Sequence, residues 1–137
     1  MEAADCVFCR IVARTVDALI IHEDDRTISF LPHHPQLYGH TLVIPKAHHA
    51  DVYSIPADLL AALMSSCQLH AHRWRDQVGT TGINILHASG ADADQSVFHF
   101  HFHLFPRFPA DGLKPWPTFP RPTQTREEMQ AAFQLNR

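Results

Sequence analysis

The sequence predicts an α+β fold, in which an antiparallel sheet of about five strands is combined with one long helix and short terminal helices. Short apolar, β-branched segments separated by turn residues lie before and after a central stretch with apolar residues at helical spacing. Strands grouped around a single helix, instead of alternating with helices, favour antiparallel pairing. A chain of 137 residues without internal repeats suits one domain with a hydrophobic core.

The composition argues against several classes of protein. Hydrophobic residues make up 45% of the chain and charged residues 18%, and the net charge of −3 contains no basic block that would indicate a nucleic-acid or membrane surface. No apolar run approaches the roughly 18 residues of a membrane helix. Residues 1–5 lack the features of a signal peptide, so we expect a cytoplasmic protein whose cysteines are thiols or metal ligands.

The first third of the chain is expected to contain a short helix and three strands. Residues 7–12 predict a short helix or turn. Residues 18–21 and 27–31 predict strands joined by the polar turn 23–26, and residues 40–45 predict a strongly apolar strand that ends at a proline.

The long helix is predicted over residues 54–78. Ser54 can cap its start and Gly79 is a suitable terminator. We expect His70 and His72 to lie on its surface. Apolar residues at helical spacing predict the buried face, which comprises Leu60, Leu63, Met64, Cys67, Ala71, Trp74 and Val78.

The last third contains two predicted strands and a proline-rich tail. Residues 82–86 predict a strand, and the small residues at 88–94 predict a loop that can bring backbone N–H groups close to a phosphate. Residues 106–122 are rich in proline and are expected to run extended over the surface. Thr125 and Glu128 form a capping box that begins a short last helix.

The most informative segment, residues 98–105, alternates three histidines with large apolar residues. A period of two predicts a strand with His99, His101 and His103 on one face and the apolar side chains buried on the other. Imidazoles at this spacing can share one small anion or one metal ion.

Three interpretations fit this segment. An ordinary strand with a histidine face is disfavoured, because histidine is not a preferred strand residue. A zinc site of three imidazoles would resemble those of some hydrolytic metalloenzymes. In nucleophilic catalysis, one neutral imidazole attacks phosphorus while its neighbours orient it and bind phosphate oxygens. The spacing alone leaves the last two open.

The pair Cys6-x-x-Cys9 provides half of a zinc site. Without further ligands it is equally explained by two buried thiols. A thioredoxin-like redox role is disfavoured, because no strand precedes the motif.

Three ordered segments together resemble the histidine triad (HIT) family. They are residues 95–105 with the alternating histidines, the Gly-His-Thr-Leu-Val-Ile-Pro-Lys run at 39–46, and the opening cysteine pair. Within the family the chain is most similar to the zinc-containing bacterial type of the histidine triad nucleotide-binding branch. We expect a single HIT domain over 1–137, with its core at about 6–107 and a proline-rich extension with a short helix at 108–137.

The resemblance implies a homodimer that binds purine nucleotides. Members cleave at the α-phosphorus of phosphoramidates, dinucleoside polyphosphates or adenylates through a covalent nucleotidyl-histidine, and release a nucleoside monophosphate. By the same resemblance His101 is the nucleophile, His103 binds phosphate oxygens, and His40 fixes the tautomer of a neighbouring ring. Ser96 lies beside the leaving group and relays its proton. The implied nucleotide-binding residues are Gln95, Ser96, Val97, His101, His103 and Ser89.

The resemblance also implies a structural zinc ion. Its ligands would be Cys6, Cys9, His48 and His99, a closed tetrahedral set of nitrogen and sulfur atoms. His49, which directly follows His48, is the alternative candidate for the same ligand position. Because this assignment uses His99 for a structural site, a catalytic zinc held by three imidazoles is disfavoured.

Several positions depart from the family pattern. Pro32 stands where relatives commonly have an aspartate that contacts the ribose. Ala88 stands where they usually have asparagine or glutamine, and Ser89 where they commonly have a second asparagine. Asp94 replaces a glycine, and its carboxylate should weaken phosphate binding unless it points away. Three further histidines could substitute for the lost polar contacts, but we expect each of them to be a surface residue, namely His33, His34 and His87.

The leading hypothesis is therefore an active nucleotidyl hydrolase or transferase with a shifted substrate preference. The alternative is a zinc-stabilised nucleotide-binding or sensor module with little turnover. A catalytic zinc hydrolase is the third candidate. Ile28, Phe30 and Leu42 would suit a purine pocket but equally suit the core.

Overall fold

The computed structural model describes residues 5–135 and contains a five-stranded sheet in the order β1-β2-β3-β5-β4. All four pairings of neighbouring strands are antiparallel, which confirms the predicted fold class. The predicted limits of the domain, residues 1–4 and 136–137, lie outside the described residues. The strands are β1 (Leu19–Glu23), β2 (Thr27–Leu31), β3 (Thr41–Pro45), β4 (Gly82–Leu86) and β5 (Phe102–Arg107). The α-helices are α1 (Val7–Val12), α2 (Ala57–Val78) and α3 (Arg126–Phe133).

The sheet has a hydrophobic core on each face, because strand residues alternate between the two sides. On one face, α2 packs against Val43, Phe102 and Leu104. On the other face, α1 packs against Leu42 and its neighbours on β2 and β3. His103 pairs with Leu42 and lies on the α1 side, so the histidine face of β5 is directed away from the long helix.

The long helix begins later than predicted. Pro56 is its N-cap residue, without a side-chain hydrogen bond, and Ser54 is held instead in a turn by Asp51, whose Oδ1 accepts from the Ser54 backbone N–H at 3.1 Å. The predicted cap at Ser54 is therefore wrong. The helix ends as predicted at Gly79, which adopts a left-handed conformation with φ 77°.

The buried face of α2 is also rotated from the predicted one. Met64 is 44% and Val78 47% exposed, whereas His70 is only 4% exposed. Burial of His70 is tolerated because both ring nitrogens are hydrogen-bonded, Nδ1 to the Ser66 carbonyl at 2.6 Å and Nε2 to the Ser29 hydroxyl at 2.7 Å. The prediction that His70 lies on the surface is wrong.

The histidine strand is shorter than predicted. β5 begins at Phe102, so among the three alternating histidines only His103 belongs to a strand. β3 ends at Pro45, and the Pro45 carbonyl accepts a hydrogen bond from the His99 ring. The alternation between the two sides of the sheet nevertheless extends upstream, since Phe100 is buried against α2, whereas the His101 ring packs against Phe8 of α1.

The tail carries the predicted capping box. The Thr125 hydroxyl accepts from the Glu128 backbone N–H at 3.1 Å, and the Glu128 carboxylate accepts from the Thr125 N–H at 3.0 Å. Among the described residues, no helix is both long enough and apolar enough to cross a membrane.

Candidate functional site

The ring of His101 is held in one tautomer by the backbone. Its Nδ1 lies 2.8 Å from the carbonyl oxygen of His99. A carbonyl only accepts hydrogen bonds, so Nδ1 carries the proton and Nε2 keeps a free lone pair. Phe8 packs edge-on against this ring at a centroid distance of 5.4 Å. His101 is therefore a rigid, buried imidazole with a nucleophilic nitrogen.

His103 has the opposite arrangement, which a chain of hydrogen bonds imposes. The backbone N–H of Gln36 donates to His40 Nδ1 at 3.0 Å, so the proton of His40 lies on Nε2. That N–H donates in turn to His103 Nδ1 at 2.9 Å. The proton of His103 is consequently on Nε2, and the ring can donate a hydrogen bond to a ligand. The centroids of His101 and His103 are only 4.9 Å apart.

Burial favours the uncharged form of all three rings. Burial lowers the pKa of His101, with a further contribution from His87, and burial together with the nearby imidazole of His101 lowers the pKa of His40. The pKa of His103 falls to about 4, mainly through burial and then through its histidine neighbours. A neutral His101 keeps the lone pair that nucleophilic attack requires.

Both triad rings line a cavity of about 610 Å³ on the α1 side of the sheet. Phe30 and Leu42, which the sequence left open between core and pocket, contribute to its apolar wall, whereas Ile28 is fully buried in the core. Ser96 and Val97 also line the cavity. The cavity therefore combines an apolar wall with two imidazoles and a stretch of backbone.

Gln95 and Ser89 have their side chains engaged elsewhere. The Gln95 amide accepts from the Gly90 N–H at 2.7 Å and donates to the carbonyls of Ala50 at 2.6 Å and Val97 at 3.0 Å. The Ser89 hydroxyl accepts from the Val52 N–H at 2.8 Å, and neither residue lines the cavity. Gln95 instead ties the loop before the triad to the segment that follows β3.

His87 contacts the triad segment through the backbone, although the sequence favoured a surface position for it. Its Nδ1 donates to the His101 carbonyl at 2.9 Å, its Nε2 is hydrogen-bonded to Ser89, and its ring stacks on Phe100 with centroids 4.2 Å apart. The expectation of a surface histidine is therefore wrong. The sequence contains only a weak indication of this contact, namely the position of His87 directly after β4, which pairs with β5.

The positions that depart from the family pattern fall in two groups. Pro32 lines the cavity beside the exposed His33 and His34, and Asp17 is the only carboxylate among its described lining residues. Asp94 is exposed, in a left-handed conformation with φ 65°, and is not part of this lining. The added negative charge of Asp94 therefore does not face the imidazoles.

A second cluster brings together Cys6, Cys9, His48 and His99, whose ligand atoms all lie within 4.8 Å of one another. The two Nδ1 atoms are 3.2 Å apart, and the sulfur-to-nitrogen distances are 3.3 Å for Cys6–His99, 3.3 Å for Cys9–His48 and 3.5 Å for Cys9–His99. Zinc bonds of about 2.0–2.3 Å would place tetrahedral ligands about 3.3–3.8 Å apart.

The hydrogen bonds around the cluster also suit a metal. His99 Nε2 donates to the Pro45 carbonyl at 2.8 Å, so its Nδ1 lone pair points at the two sulfur atoms. Burial and the neighbouring Cys6 raise the pKa of the Cys9 thiol to about 11, so a bound cation is needed to stabilise its thiolate. The donor set and its spacing fit a zinc ion.

Comparison with known proteins identifies the family. The HIT domain matches residues 13–110. Protein hit from Bacillus subtilis is 37% identical over 106 residues, which are 77% of this chain and 73% of that protein. Adenylylsulfatase HINT3 from Arabidopsis thaliana is 36% identical over 109 residues, which are 80% of this chain and 55% of that protein.

A solved structure extends the likeness over nearly the whole chain. It is that of a zinc-bound histidine triad family protein from Mycobacterium smegmatis, with a TM-score of 0.78, 35% identity, and coverage of 96% of this chain and 94% of that one. The family match covers more than half of the chain, and the site carries the family's alternating histidines. This chain belongs to the HIT domain family.

Proposed function

We propose that this protein is a nucleotidyl hydrolase or transferase that cleaves at the α-phosphorus of a purine nucleotide derivative through a covalent nucleotidyl-His101. The observation that carries the proposal is the opposite protonation of two adjacent rings. His101 presents a lone pair and His103 presents an N–H, and both line the same cavity. One ring is thus suited to attack phosphorus, and the other to bind a phosphoryl oxygen.

In the first step, His101 Nε2 bonds to the α-phosphorus as the bond to the leaving group breaks. The N–H of His103 and the backbone N–H groups of Ser96 and Val97 bind the phosphoryl oxygens. Within the described residues, neither backbone N–H group donates to another partner. The exposed Ser96 hydroxyl passes a proton to a leaving group that needs one. Gln95 and His87 position the reacting segment without touching the nucleotide.

In the second step, a water oxygen bonds to phosphorus and the phosphorus–nitrogen bond breaks. Nε2 of His101 recovers its lone pair, the nucleoside monophosphate is released, and the water proton leaves with solvent or product. The Nδ1–H of His101 remains bonded to the His99 carbonyl throughout. Imidazole is a suitable carrier, because the ring is a good leaving group once protonated.

The apolar wall of the cavity supports a purine substrate. Phe30, Leu31 and Leu42 provide flat apolar surface opposite the polar end formed by the imidazoles. The name of the Arabidopsis relative, an adenylylsulfatase, supports an adenosine nucleotide and hydrolysis at phosphorus. Candidate substrates are adenosine phosphoramidates, dinucleoside polyphosphates and adenylates.

The cysteine–histidine cluster would hold a structural zinc ion. Cys6 and Cys9 belong to the start of α1, whereas His48 follows β3 and His99 precedes β5. Zinc would cross-link these segments and would take no part in the reaction. The zinc-bound mycobacterial neighbour supports this assignment and the zinc-containing type of the nucleotide-binding branch.

A homodimer is part of the proposal. β4 is an edge strand whose Ile85 is 37% exposed, and α2 exposes Met64 and Leu69 at 44% and 36%. An uncovered edge with apolar residues beside it favours association with a second copy. Light scattering coupled to size-exclusion chromatography would contradict this if the chain remained a monomer at micromolar concentration. A cytoplasmic location remains an expectation from the sequence.

The test of the proposed reaction is mass spectrometry of the intact protein after mixing with adenosine 5′-phosphoramidate and quenching without acid. We expect an adenylyl adduct on the unmodified protein, absent from His101→Ala and retained in His72→Ala, an exposed histidine on α2. Release of monophosphate that persists in His101→Ala would refute the nucleophile. Nucleotide binding without adduct or product would favour the alternative, a binding or sensor module.

A further inference from the structure

A second cavity of about 430 Å³ lies on the same face of the sheet and meets the first at His103. Gln36 and His103 line both cavities. Beyond His103, the second cavity is lined by Phe105 and Arg107 of β5 and by Lys114 of the tail. It is therefore a separate compartment that begins at the proposed phosphate-binding ring.

The strand geometry explains this arrangement. His103, Phe105 and Arg107 occupy every second position of β5, so all three project from the face that carries the histidines. Leu86 of β4 pairs with His103 of β5 and closes the end of the cavity near His103. At about 3.3 Å per residue, Arg107 lies roughly 13 Å along the strand from His103. That length accommodates a leaving group of one or more tetrahedral oxyanions.

Arg107 shapes this cavity but contributes little net charge to it. Its Nε and Nη2 atoms donate to the two carboxylate oxygens of Asp111 at 2.8 and 2.6 Å, and its Nη1 donates to Asn84 at 2.9 Å. The guanidinium holds the pKa of the Asp111 carboxyl well below its usual range. The charge of Arg107 is thus compensated by a bidentate partner.

The same ion pair orders the start of the tail. Asp111 also accepts hydrogen bonds from the backbone N–H groups of Phe108 at 3.2 Å and Leu113 at 3.1 Å, and Arg107 additionally donates to the Leu113 carbonyl. These bonds close a turn directly after β5. Lys114 follows this turn and is thereby placed over the second cavity.

Lys114 is the uncompensated charge of the cavity. Its ammonium group has no hydrogen-bond or ion-pair partner within residues 5–135, and no carboxylate belongs to the described lining. An unpaired cation in the cavity that begins at His103 creates a positive compartment next to the reacting phosphorus. Such a compartment stabilises negative charge that develops on a departing group.

We propose that the second cavity binds the leaving group and that Lys114 selects a sulfate or phosphate oxyanion over ammonia or an amine. This inference rests on the proposed function. As the bond from His101 Nε2 to the α-phosphorus forms, the bond from phosphorus to the bridging oxygen breaks, and its electron pair leaves with that oxygen. The sulfate or phosphate departs as an anion without needing a proton. Ammonia must instead be protonated and gains nothing from Lys114.

The test compares kcat/KM for adenosine 5′-phosphosulfate, diadenosine tetraphosphate and adenosine 5′-phosphoramidate. For Lys114→Ala we expect a loss of about five- to tenfold on the two oxyanion leaving groups and less than about twofold on the phosphoramidate. Arg121→Ala, which removes an exposed cation seven residues further along the tail, should leave all three unchanged. Sulfate and phosphate are distinguished by the relative losses on the first two substrates.

A binding measurement separates failure of this inference from failure of the proposed reaction. In the His101→Ala background, calorimetry should show adenosine 5′-phosphosulfate binding more tightly than the phosphoramidate, and Lys114→Ala should abolish that preference. An equal loss on every substrate, or a binding preference that survives Lys114→Ala, would overturn the role of Lys114. If the wild type showed no turnover but the preference for binding adenosine 5′-phosphosulfate still depended on Lys114, the proposed reaction would be refuted. The proposed anion-binding role of the second cavity would stand.

Discussion

The Nε2 atom of His40 lies 2.9 Å from Nδ1 of His103, and the direction of this hydrogen bond determines which atom His103 offers to the cavity. Because the Gln36 N–H occupies the other nitrogen of His40, His40 can only donate to His103. His103 is thereby fixed as a donor next to His101, which is fixed as an acceptor. A backbone amide of a loop thus determines the protonation of a ring two steps away.

Replacement of His40 should therefore change the tautomer of His103. In His40→Leu the Nδ1 atom of His103 loses its donor, so a mixture of tautomers should appear, and we expect kcat to fall by about tenfold or more. Nitrogen-detected NMR of the histidine rings measures the tautomer directly. His40→Gln retains an N–H donor and is the matched control. An unchanged tautomer in His40→Leu would disprove the relay.

His87 should act on His101 through the backbone. His87→Ala removes the donor to the His101 carbonyl and the ring stacked on Phe100, so we expect a loss of about 1–3 kcal/mol in the free energy of unfolding. The rate of adduct formation should fall, because the reacting segment is less firmly held. Urea unfolding and rapid-quench kinetics measure the two effects. His72→Ala, on the exposed face of α2, is expected to change neither.

Zinc should be bound at about one ion per chain. Cys9→Ser should lose most of the metal and lower the midpoint of thermal unfolding, whereas Cys67→Ala, at a buried cysteine of the α2 core, should keep the metal. Plasma emission spectrometry and circular dichroism measure both quantities. If chelation removed activity while leaving the fold intact, the zinc would be catalytic and the structural assignment would be wrong.

Stability should depend on pH through the buried histidines. Burial lowers the pKa of His70, and the pKa of His103 falls to about 4. An unfolded chain binds these protons near the ordinary histidine pKa of about 6.5. The unfolded state then takes up more protons than the folded state. The contribution of these histidines to the free energy of unfolding is therefore fully present above about pH 6.5 and decreases as the pH falls toward 4.

His70→Gln provides the test of this pH dependence. Glutamine can keep a hydrogen bond to Ser29 or to the Ser66 carbonyl but does not titrate. We therefore expect a shallower loss of unfolding free energy between pH 6.5 and 5, measured by urea denaturation in matched buffers. Its control is His72→Gln, at an exposed position of the same helix. Identical slopes for the wild type and His70→Gln would show that His70 contributes no titration.

Local patterns in the sequence predicted the first four strands and the last helix well, but placed the start of β5 too early. β2 and β4 have the predicted bounds, and the Thr125–Glu128 capping box is present. These features depend on neighbouring residues, through turn chemistry, alternation and a cap that spans three positions. The long helix was less well predicted at its start, because the Asp51 carboxylate competes for Ser54.

The candidate site was predicted in part, and mostly through the family resemblance. The cysteine pair and two distant histidines were assigned to one cluster, and the structure brings their ligand atoms together. The tautomers of His101 and His103 could not be predicted, because they depend on carbonyl and amide groups that only the folded backbone places beside the rings.

The sequence by itself determined the order of the elements, the alternation of histidine with apolar residues, and the residue types available for chemistry. Only the tertiary structure decided that His70 is buried, that His87 supports His101, and that Lys114 reaches a cavity beside His103. The physical reason is the distance along the chain over which each interaction acts. Propensity and periodicity act over a few residues, whereas burial, ring protonation and cavity charge result from contacts between segments far apart in the chain.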